Sequence, residues 1–201
     1  NMGYNYYYLG SYNEAIKFLT QSILLDSKEY LNYYYLGLSY LKIDLNKQAL
    51  DAFKKCVLIN TNFGLSHYEL GKIYTSILNE ELAIKHFEFA NNNQSFDDLN
   101  YRLGVLYFKQ DMYFKAMDPL KNYLINNLSN TEVLEMMGEI FVNIKRYPES
   151  VDIYERLIEQ NPNDELYYNK IANSYYQLKD FDRAIENYKK VLLLNEENYE
   201  I

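Results

Sequence analysis

A small residue recurs along the chain at a nearly constant spacing, and this recurrence limits the possible fold more than any other feature. The residue follows a Leu-like residue at Gly3, Gly37, Gly71, Gly104, Gly138 and Ala172. Successive differences are 34, 34, 33, 34 and 34. The same five differences separate a second series, which is Ala15, Ala49, Ala83, Ala116, Ser150 and Ala184. Two series with one shared period predict a tandem array of a single structural repeat.

Each repeat contains the apolar pattern of two helices. The first helix has apolar residues at intervals of three, four and seven, as at Leu70, Ile73, Tyr74 and Ile77. The second helix has its own stripe, as at Ala83, Ile84, Phe87 and Ala90. Short polar breaks such as 179–180 separate the two helices. Only 3 Pro and 7 Gly occur in 201 residues, which favours long helices over a turn-rich fold. We expect the small residues to lie where paired helices approach closely.

These features resemble the tetratricopeptide repeat. The resemblance rests on the 34-residue period and on a Leu-Gly pair followed three residues later by Tyr, in Leu36-Gly37…Tyr40, Leu70-Gly71…Tyr74 and Leu103-Gly104…Tyr107. It also rests on the later Ala with its aromatic, in Ala49…Phe53 and Ala83…Phe87, and on Pro162 at the close of a repeat. The resemblance covers essentially the whole chain. It implies an all-α fold, a right-handed superhelical solenoid of antiparallel helix-turn-helix repeats.

The sequence departs from the family pattern at several positions. The aromatic that opens the first helix is Tyr33 or Tyr168 in two repeats, but it is replaced elsewhere, by His67, Asn100 and Leu134. Ser150 replaces the second-helix Ala of the fifth repeat. Pro119 falls inside a second helix, where it removes one backbone hydrogen bond.

The repeat boundaries predict one array over residues 1–201. We expect a partial repeat at 1–29, with Asn1 inside a helix, then repeats at 30–63, 64–96, 97–130, 131–164 and 165–198, and the possible start of a seventh at 199–201. Solenoids usually end in polar capping elements, and neither end has an obvious one. We therefore expect the sequence to be a segment of a longer array.

Charge and composition disfavour some classes of function. The formal net charge of −8 repels phosphate backbones, so nucleic acid is not an expected partner. No apolar run approaches the roughly 20 residues that span a bilayer. Cys56 is the single cysteine and cannot form an internal disulfide, which leaves the cellular compartment open.

The sequence contains no pattern typical of catalysis or of a metal or cofactor site. The two histidines, His67 and His86, lie 19 residues apart in two helices of one repeat, and packing explains His67. Cys56 takes a small-residue position. Acidic pairs are expected at helix starts or loops, where the helix dipole favours them, at Glu80-Glu81, Asp97-Asp98 and Glu196-Glu197. The segment 91–94 is interpreted as a polar linker. We expect no enzyme activity, no cofactor and no bound metal.

By resemblance, the first helices line a concave groove. Three lines of groove residues follow from the repeat register. The first is Tyr34, Tyr68, Tyr101, Glu135 and Asn169, the second is Leu38, Lys72, Val105, Glu139 and Asn173, and the third includes Leu41, Phe108 and Tyr176. Glu132 adds a further carboxylate in the fifth repeat. We expect Tyr34, Tyr68 and Tyr101 to form a ladder of side chains.

The groove chemistry predicts a protein or peptide ligand with apolar anchors and some basic character. Family members that grip the carboxylate end of chaperone tails use Lys, Asn and Arg on these lines. Here Tyr34, Leu38, Tyr68, Tyr101 and Val105 stand there, which argues against chaperone-tail binding. Two alternatives remain. The segment could regulate a larger enzyme, or it could be a structural module that associates with copies of itself.

Overall fold

The computed structural model describes residues 2–93 and 96–199. These residues form helices and no strand. The helices are α1 (Met2–Tyr8), α2 (Tyr12–Leu25), α3 (Tyr30–Leu41), α4 (Asn46–Ile59), α5 (Gly64–Ser76), α6 (Glu80–Asn93), α7 (Leu99–Lys109), α8 (Tyr113–Asn126), α9 (Thr131–Asn143), α10 (Tyr147–Gln160), α11 (Glu165–Gln177) and α12 (Phe181–Tyr199). The predicted all-α class is confirmed.

The turn inside each helix pair has a recurring backbone geometry. One residue per turn has a positive φ of 56–76°, namely Gly10, Asp44, Leu78, Asp111, Lys145 and Lys179. After α5, the Leu78 amide donates to the Thr75 carbonyl and the Asn79 amide donates to the Tyr74 carbonyl, at 3.1 and 2.9 Å. This is the Schellman pattern, which ends a helix on a left-handed residue. The chain thereby reverses in a few residues, and the second helix packs antiparallel to the first.

The glycines of the first series lie where the two helices of a pair touch. A Cβ atom added to Gly71 would lie 2.5 Å from the Phe87 ring. The equivalent distances are 2.7 Å for Gly37 with Phe53 and 2.4 Å for Gly104 with Leu120. Real Cβ contacts are not this short, so only glycine permits the observed approach. The expected packing role of this series is confirmed.

Successive helix pairs meet through small polar groups as well as apolar ones. Ser66 of α5 donates from Oγ to the Sγ of Cys56 on α4 at 3.0 Å, and both residues are buried. Asn32 of α3 donates to Ser22 Oγ of α2 at the same distance. Burial raises the pKa of the Cys56 thiol to about 11, so the thiol stays protonated at neutral pH. This agrees with the structural interpretation of Cys56.

The chain divides into two compact units, residues 1–99 and 100–201. In the N-terminal unit, α1 to α6 pack in chain order, each helix against the next. In the C-terminal unit, α8 to α12 follow the same order. The boundaries of a single array remain a prediction. Among the described residues, no helix has both the length and the apolar character needed to cross a membrane.

Some local expectations differ from the structure. Residues 91–93 belong to α6 and are not a linker, because the buried stripe of that helix continues to Ala90; Gln94 lies outside the described residues. Residues 196–197 lie near the end of α12 and not at a helix start. Tyr199 is the last residue of α12, while Asn1, Glu200 and Ile201 are not described. Pro119 lies inside α8, as expected.

Candidate functional site

The predicted groove residues lie on the first helix of each pair. We call this surface the first-helix face, formed by α1, α3 and α5 in the N-terminal unit and by α7, α9 and α11 in the C-terminal unit. Each unit is described by itself.

In the N-terminal unit, Tyr34 and Tyr68 are half-buried by the segment that precedes the next first helix. The Tyr34 ring meets Phe63, just before α5, edge to face with centroids 5.1 Å apart. The Tyr68 ring stacks on Phe96 at 4.2 Å, and its hydroxyl donates to Asp98 just before α7. Burial raises the pKa of Tyr34 above its usual value. Both tyrosines therefore join neighbouring repeats as well as facing outward.

Tyr101 makes the equivalent contact in the C-terminal unit. Its hydroxyl donates to Glu132 Oε2 in the first turn of α9 at 2.8 Å, and its ring lies 5.2 Å from that of Tyr123. Burial, followed by the hydrogen bond to Glu132, raises the pKa of Tyr101 to about 12. The three tyrosines of the first groove line thus share one role, which is to contact the start of the following repeat.

The three predicted carboxylates of α9 all have partners. Glu132 accepts from Tyr101, as above. Glu135 accepts from the Tyr167 hydroxyl at 2.6 Å, and Glu139 lies 3.4 Å from the ammonium of Lys170. Tyrosine donors leave the charge in place, so α9 gives the first-helix face of this unit an acidic character.

The remaining predicted residues are half-buried or exposed. Lys72 forms an ion pair with Glu69 at 2.9 Å and lies 4.9 Å over the Tyr68 ring. Asn173 donates to Asn169 Oδ1 at 2.6 Å. Tyr176 is 55% exposed. The apolar members are half-buried, and these are Leu38, Leu41, Val105 and Phe108.

The N-terminal first-helix face has a tyrosine cluster of which only Tyr34 was a predicted groove residue. We define it as Tyr4, Tyr7, Tyr8, Tyr34 and Tyr35, from α1 and α3. Four ring centroids surround that of Tyr35, at 4.5 Å for Tyr4, 5.4 Å for Tyr7, 5.8 Å for Tyr8 and 5.4 Å for Tyr34. The hydroxyls of Tyr8 and Tyr35 lie 2.7 Å apart. This hydrogen bond, followed by burial, raises the pKa of Tyr35 to about 12.

Glu69 of α5 is a carboxylate whose charge raises the pKa values of two tyrosines of this cluster. Its side chain is 12% exposed, and after burial its charge is the next cause of the raised pKa of Tyr34. It also contributes to the raised pKa of Tyr7. Tyr35 and Glu69 lie 34 residues apart and so occupy the same position in successive repeats, a position outside the three predicted groove lines. The N-terminal first-helix face therefore combines aromatic rings, hydroxyls and one largely buried carboxylate, which pairs with Lys72.

The structure also brings the two histidines together. Their Nδ1 atoms lie 2.9 Å apart, between α5 and α6. His67 stacks on Phe89 at 4.9 Å and His86 on Tyr74 at 5.3 Å, so the pair is part of a packed aromatic row. Within the described residues, no group of three potential metal-ligating side chains converges. Packing accounts for the pair.

Comparison with known proteins agrees with the helix pairs described above. Sequence models of the tetratricopeptide repeat match residues 1–29, 132–164 and 166–198. The TPR repeat-containing protein MJ1428 of Methanocaldococcus jannaschii is 26% identical over 219 residues, which cover 94% of this chain and 37% of that protein. BBSome complex member BBS4 of Bos taurus is 23% identical, covering 96% of this chain and 38% of that protein. The chain thus spans less than two fifths of the length of these relatives.

Solved structures share the fold at low sequence identity. YrrB, described as a TPR protein with an unusual peptide-binding site, superposes with a TM-score of 0.69 at 19% identity, covering 88% of this chain and 91% of YrrB. A MamA structure has a TM-score of 0.66 at 22% identity, with coverage of 85% and 94%. Repeat period, helix pairs, sequence matches and structural likeness agree, and the chain belongs to the tetratricopeptide repeat family.

Proposed function

We propose that this chain is a non-enzymatic protein-interaction scaffold that binds a segment of a partner protein on its first-helix faces. The tyrosine cluster is the observation that carries this proposal. Tyr8 is 71% exposed although it shares a hydrogen bond and a ring contact with Tyr35. Tyrosine offers a large contact area at a small loss of conformational entropy, so preordered rings of this kind suit an interface.

The partner segment should carry apolar or aromatic anchors with some basic residues. The rings of the tyrosine cluster would contact the anchors. In the C-terminal unit, the carboxylates of Glu132, Glu135 and Glu139 would favour basic residues by complementary charge. A free carboxylate terminus of a chaperone tail fits neither face. The net charge of −8 disfavours nucleic acid.

Similar proteins support this class of function. One relative is named as a member of the BBSome complex, and YrrB is described as having a peptide-binding site. Two other roles remain candidates for the sequence as part of a longer protein. These are a regulatory or substrate-recruiting segment of an enzyme, and a self-assembly module.

The test uses peptides selected against the chain from a random display library, with affinity measured by fluorescence anisotropy. Tyr8→Ala should weaken a selected peptide by at least roughly tenfold, because an interface anchor of this kind contributes 1–2 kcal/mol or more. Leu58→Ala is the matched control, since Leu58 is 80% exposed on α4, a second helix. Its affinity should equal that of the unaltered chain.

Two results would reject the proposal. One is an unchanged affinity for Tyr8→Ala with its helical circular dichroism intact. The other is an equal loss in both variants, which would indicate nonspecific apolar contact.

A further inference from the structure

A second surface has a defined chemistry, and none of its lining residues is among the predicted groove residues. It is a cleft of about 480 Å³ bordered by α10, α11 and α12, which we call the α11 cleft. The lining side chains are Glu155, Ile158, Glu159, Tyr168, Ile171, Tyr175, Arg183, Glu186 and Asn187. Ligand pockets of proteins are typically 300–1,000 Å³, so a side chain of a partner could enter.

The cleft has a counterpart in another helix pair. A smaller cavity of about 200 Å³ between α3 and α4 is lined by residues that include Tyr33, Tyr40, Asp51 and Ala52. The lining residues Tyr168, Tyr175, Glu186 and Asn187 each follow these by 135 positions. The two cavities thus occupy the same place in two helix pairs.

In the helix pair α5–α6, aromatic side chains fill the position that corresponds to these cavities. His67, Tyr74 and His86 are in register with Tyr33, Tyr40 and Ala52. Together with Phe89, which is in register with Lys55, they form the packed aromatic row described above. His86 stacks on Tyr74 with ring planes only 7° apart, where α4 has Ala52 and α12 has Asn187. An open cleft is therefore a consequence of the small or short residue at this position and not of the fold.

Tyrosine rings that line these cavities, or that lie at the same repeat position, are contacted by Lys or Arg side chains of the same chain. The Lys55 ammonium lies 5.9 Å over the Tyr33 ring in the smaller cavity. The Arg183 guanidinium lies 5.3 Å over the Tyr175 ring in the α11 cleft. Lys115 over Tyr107 follows the same arrangement in α7 and α8. A cation on an aromatic face is the interaction that this part of the repeat forms repeatedly.

The α11 cleft has more negative charge than its own cation balances. Glu155 and Glu159 come from α10 and Glu186 from α12, and all three are exposed. Arg183 already has partners, since it lies 3.4 Å from the Asp180 carboxylate and over Tyr175. The ring of Tyr168 is held by a hydrogen bond from its hydroxyl to the Pro162 carbonyl at 3.1 Å.

We propose that the α11 cleft binds a protein segment that inserts a Lys or Arg side chain. The aliphatic stem of that side chain would contact Ile158 and Ile171, and its charged end would lie against Tyr168 among the three glutamates. Complementary charge and a preformed aromatic wall select this occupant over an acidic or purely apolar one. The α11 cleft shares a helix with the first-helix face but none of the predicted groove residues, and the proposal does not depend on the function proposed above.

N-acetyl-lysine amide is the direct probe, titrated into the isotope-labelled chain and followed by amide chemical shifts. N-acetyl-norleucine amide is the matched control, because its stem has similar length and no charge. The lysine probe should shift amides of α10, α11 and α12 saturably, and the norleucine probe should not. Equal shifts from both probes, or shifts centred on other helices, would overturn the proposal.

Two variants test whether binding of the lysine probe depends on the glutamates and on the open cleft. Glu155→Gln with Glu186→Gln should weaken the lysine probe by at least roughly tenfold, whereas Glu14→Gln with Glu81→Gln, which alters exposed glutamates of α2 and α6, should not. Asn187→His at about pH 8 should also abolish the shifts, by filling the cleft as His86 does, without removing a carboxylate. This second variant decides the matter if the glutamine pair fails to fold. Unchanged binding in either folded variant would contradict the proposal, and Tyr8→Ala should leave this binding intact.

Discussion

The Nδ1 atoms of His67 and His86 lie 2.9 Å apart, and the surrounding contacts assign the proton between them. His67 Nε2 lies 2.9 Å from the Thr61 carbonyl, which can only accept, so this nitrogen donates. Neutral His67 therefore accepts at Nδ1, and His86 donates from its own Nδ1. A proton added to His67 at Nδ1 would face the N–H of His86, so protonation of His67 breaks this hydrogen bond.

This pair should make the stability of the chain fall at mildly acidic pH. Burial lowers the pKa of His67, and burial followed by the charge of His67 lowers that of His86 to about 4; Lys85 and Lys54 act in the same direction. In the unfolded chain both histidines take up protons below about pH 6.5, whereas in the folded chain His86 resists protonation until near pH 4 and the pKa of His67 is also lowered. Stability is therefore lost as pH falls through this range.

Urea unfolding at about pH 7.5 and about pH 5 measures the effect. We expect the unaltered chain to lose on the order of 1 kcal/mol more than His86→Ala between these conditions, since Ala is the native residue at the same register in α4. Carboxylates and His67 titrate in both proteins, so the difference isolates the contribution of His86. An identical pH dependence would show that His86 does not contribute in this range.

Leu78→Gly should stabilise the chain. Leu78 has a φ of 60° and is 84% exposed, so its side chain adds backbone strain and little packing. Relief of the left-handed strain should exceed the added entropy of the unfolded chain by about 0.5–1 kcal/mol. The same substitution at Leu58, 80% exposed within α4, should destabilise by about 1 kcal/mol. Urea unfolding measures the change in the free energy of unfolding for each variant. A loss of stability at both positions would contradict the prediction.

Gly71→Ala should destabilise by about 1–3 kcal/mol, because the new Cβ would lie 2.5 Å from the Phe87 ring in a fully packed helix crossing. Glu81→Ala, an exposed change in the first turn of α6, should stay within about 0.5 kcal/mol. Thermal melts followed by circular dichroism compare the two. A normal melting temperature for Gly71→Ala would mean that α5 and α6 can separate without cost.

Tyr68→Ala should cost more stability than Tyr176→Ala. Tyr68 stacks on Phe96 and donates to Asp98, so its loss removes packing and a hydrogen bond, about 1–3 kcal/mol in all. Tyr176 is 55% exposed and should cost about 0.5 kcal/mol. Equal unfolding free energies would show that Tyr68 does not help to join repeats.

The repeat length and the helix pairs could be predicted closely from the sequence, because the same period appears in two residue series. Thr131 and Glu165, expected to open repeats, are the first residues of α9 and α11, whereas α7 begins at Leu99 and not at Asp97. The left-handed residues form a further series of the same spacing that was missed, since Leu78 and Lys145 are not residues typical of positive φ. Geometry imposed by the turn overrides residue preference there.

The side-chain partners of the candidate site were harder to predict. His67 and His86 lie on separate helices, and their contact depends on which faces of α5 and α6 meet. The same holds for the hydroxyl of Tyr101, whose partner Glu132 is 31 residues away. Periodicity assigns a residue to a face but gives no side-chain direction, so the groove lines were predicted while their hydrogen bonds were not.

Binding to the first-helix faces is tested most directly by hydrogen–deuterium exchange of the chain with and without a display-selected peptide. We expect the peptide to slow exchange most in α1, α3 and α5 around the tyrosine cluster, and Tyr8→Ala to remove that protection while Leu58→Ala retains it. Protection confined to second helices such as α4 and α6, or protection that survives Tyr8→Ala unchanged, would contradict the proposed function.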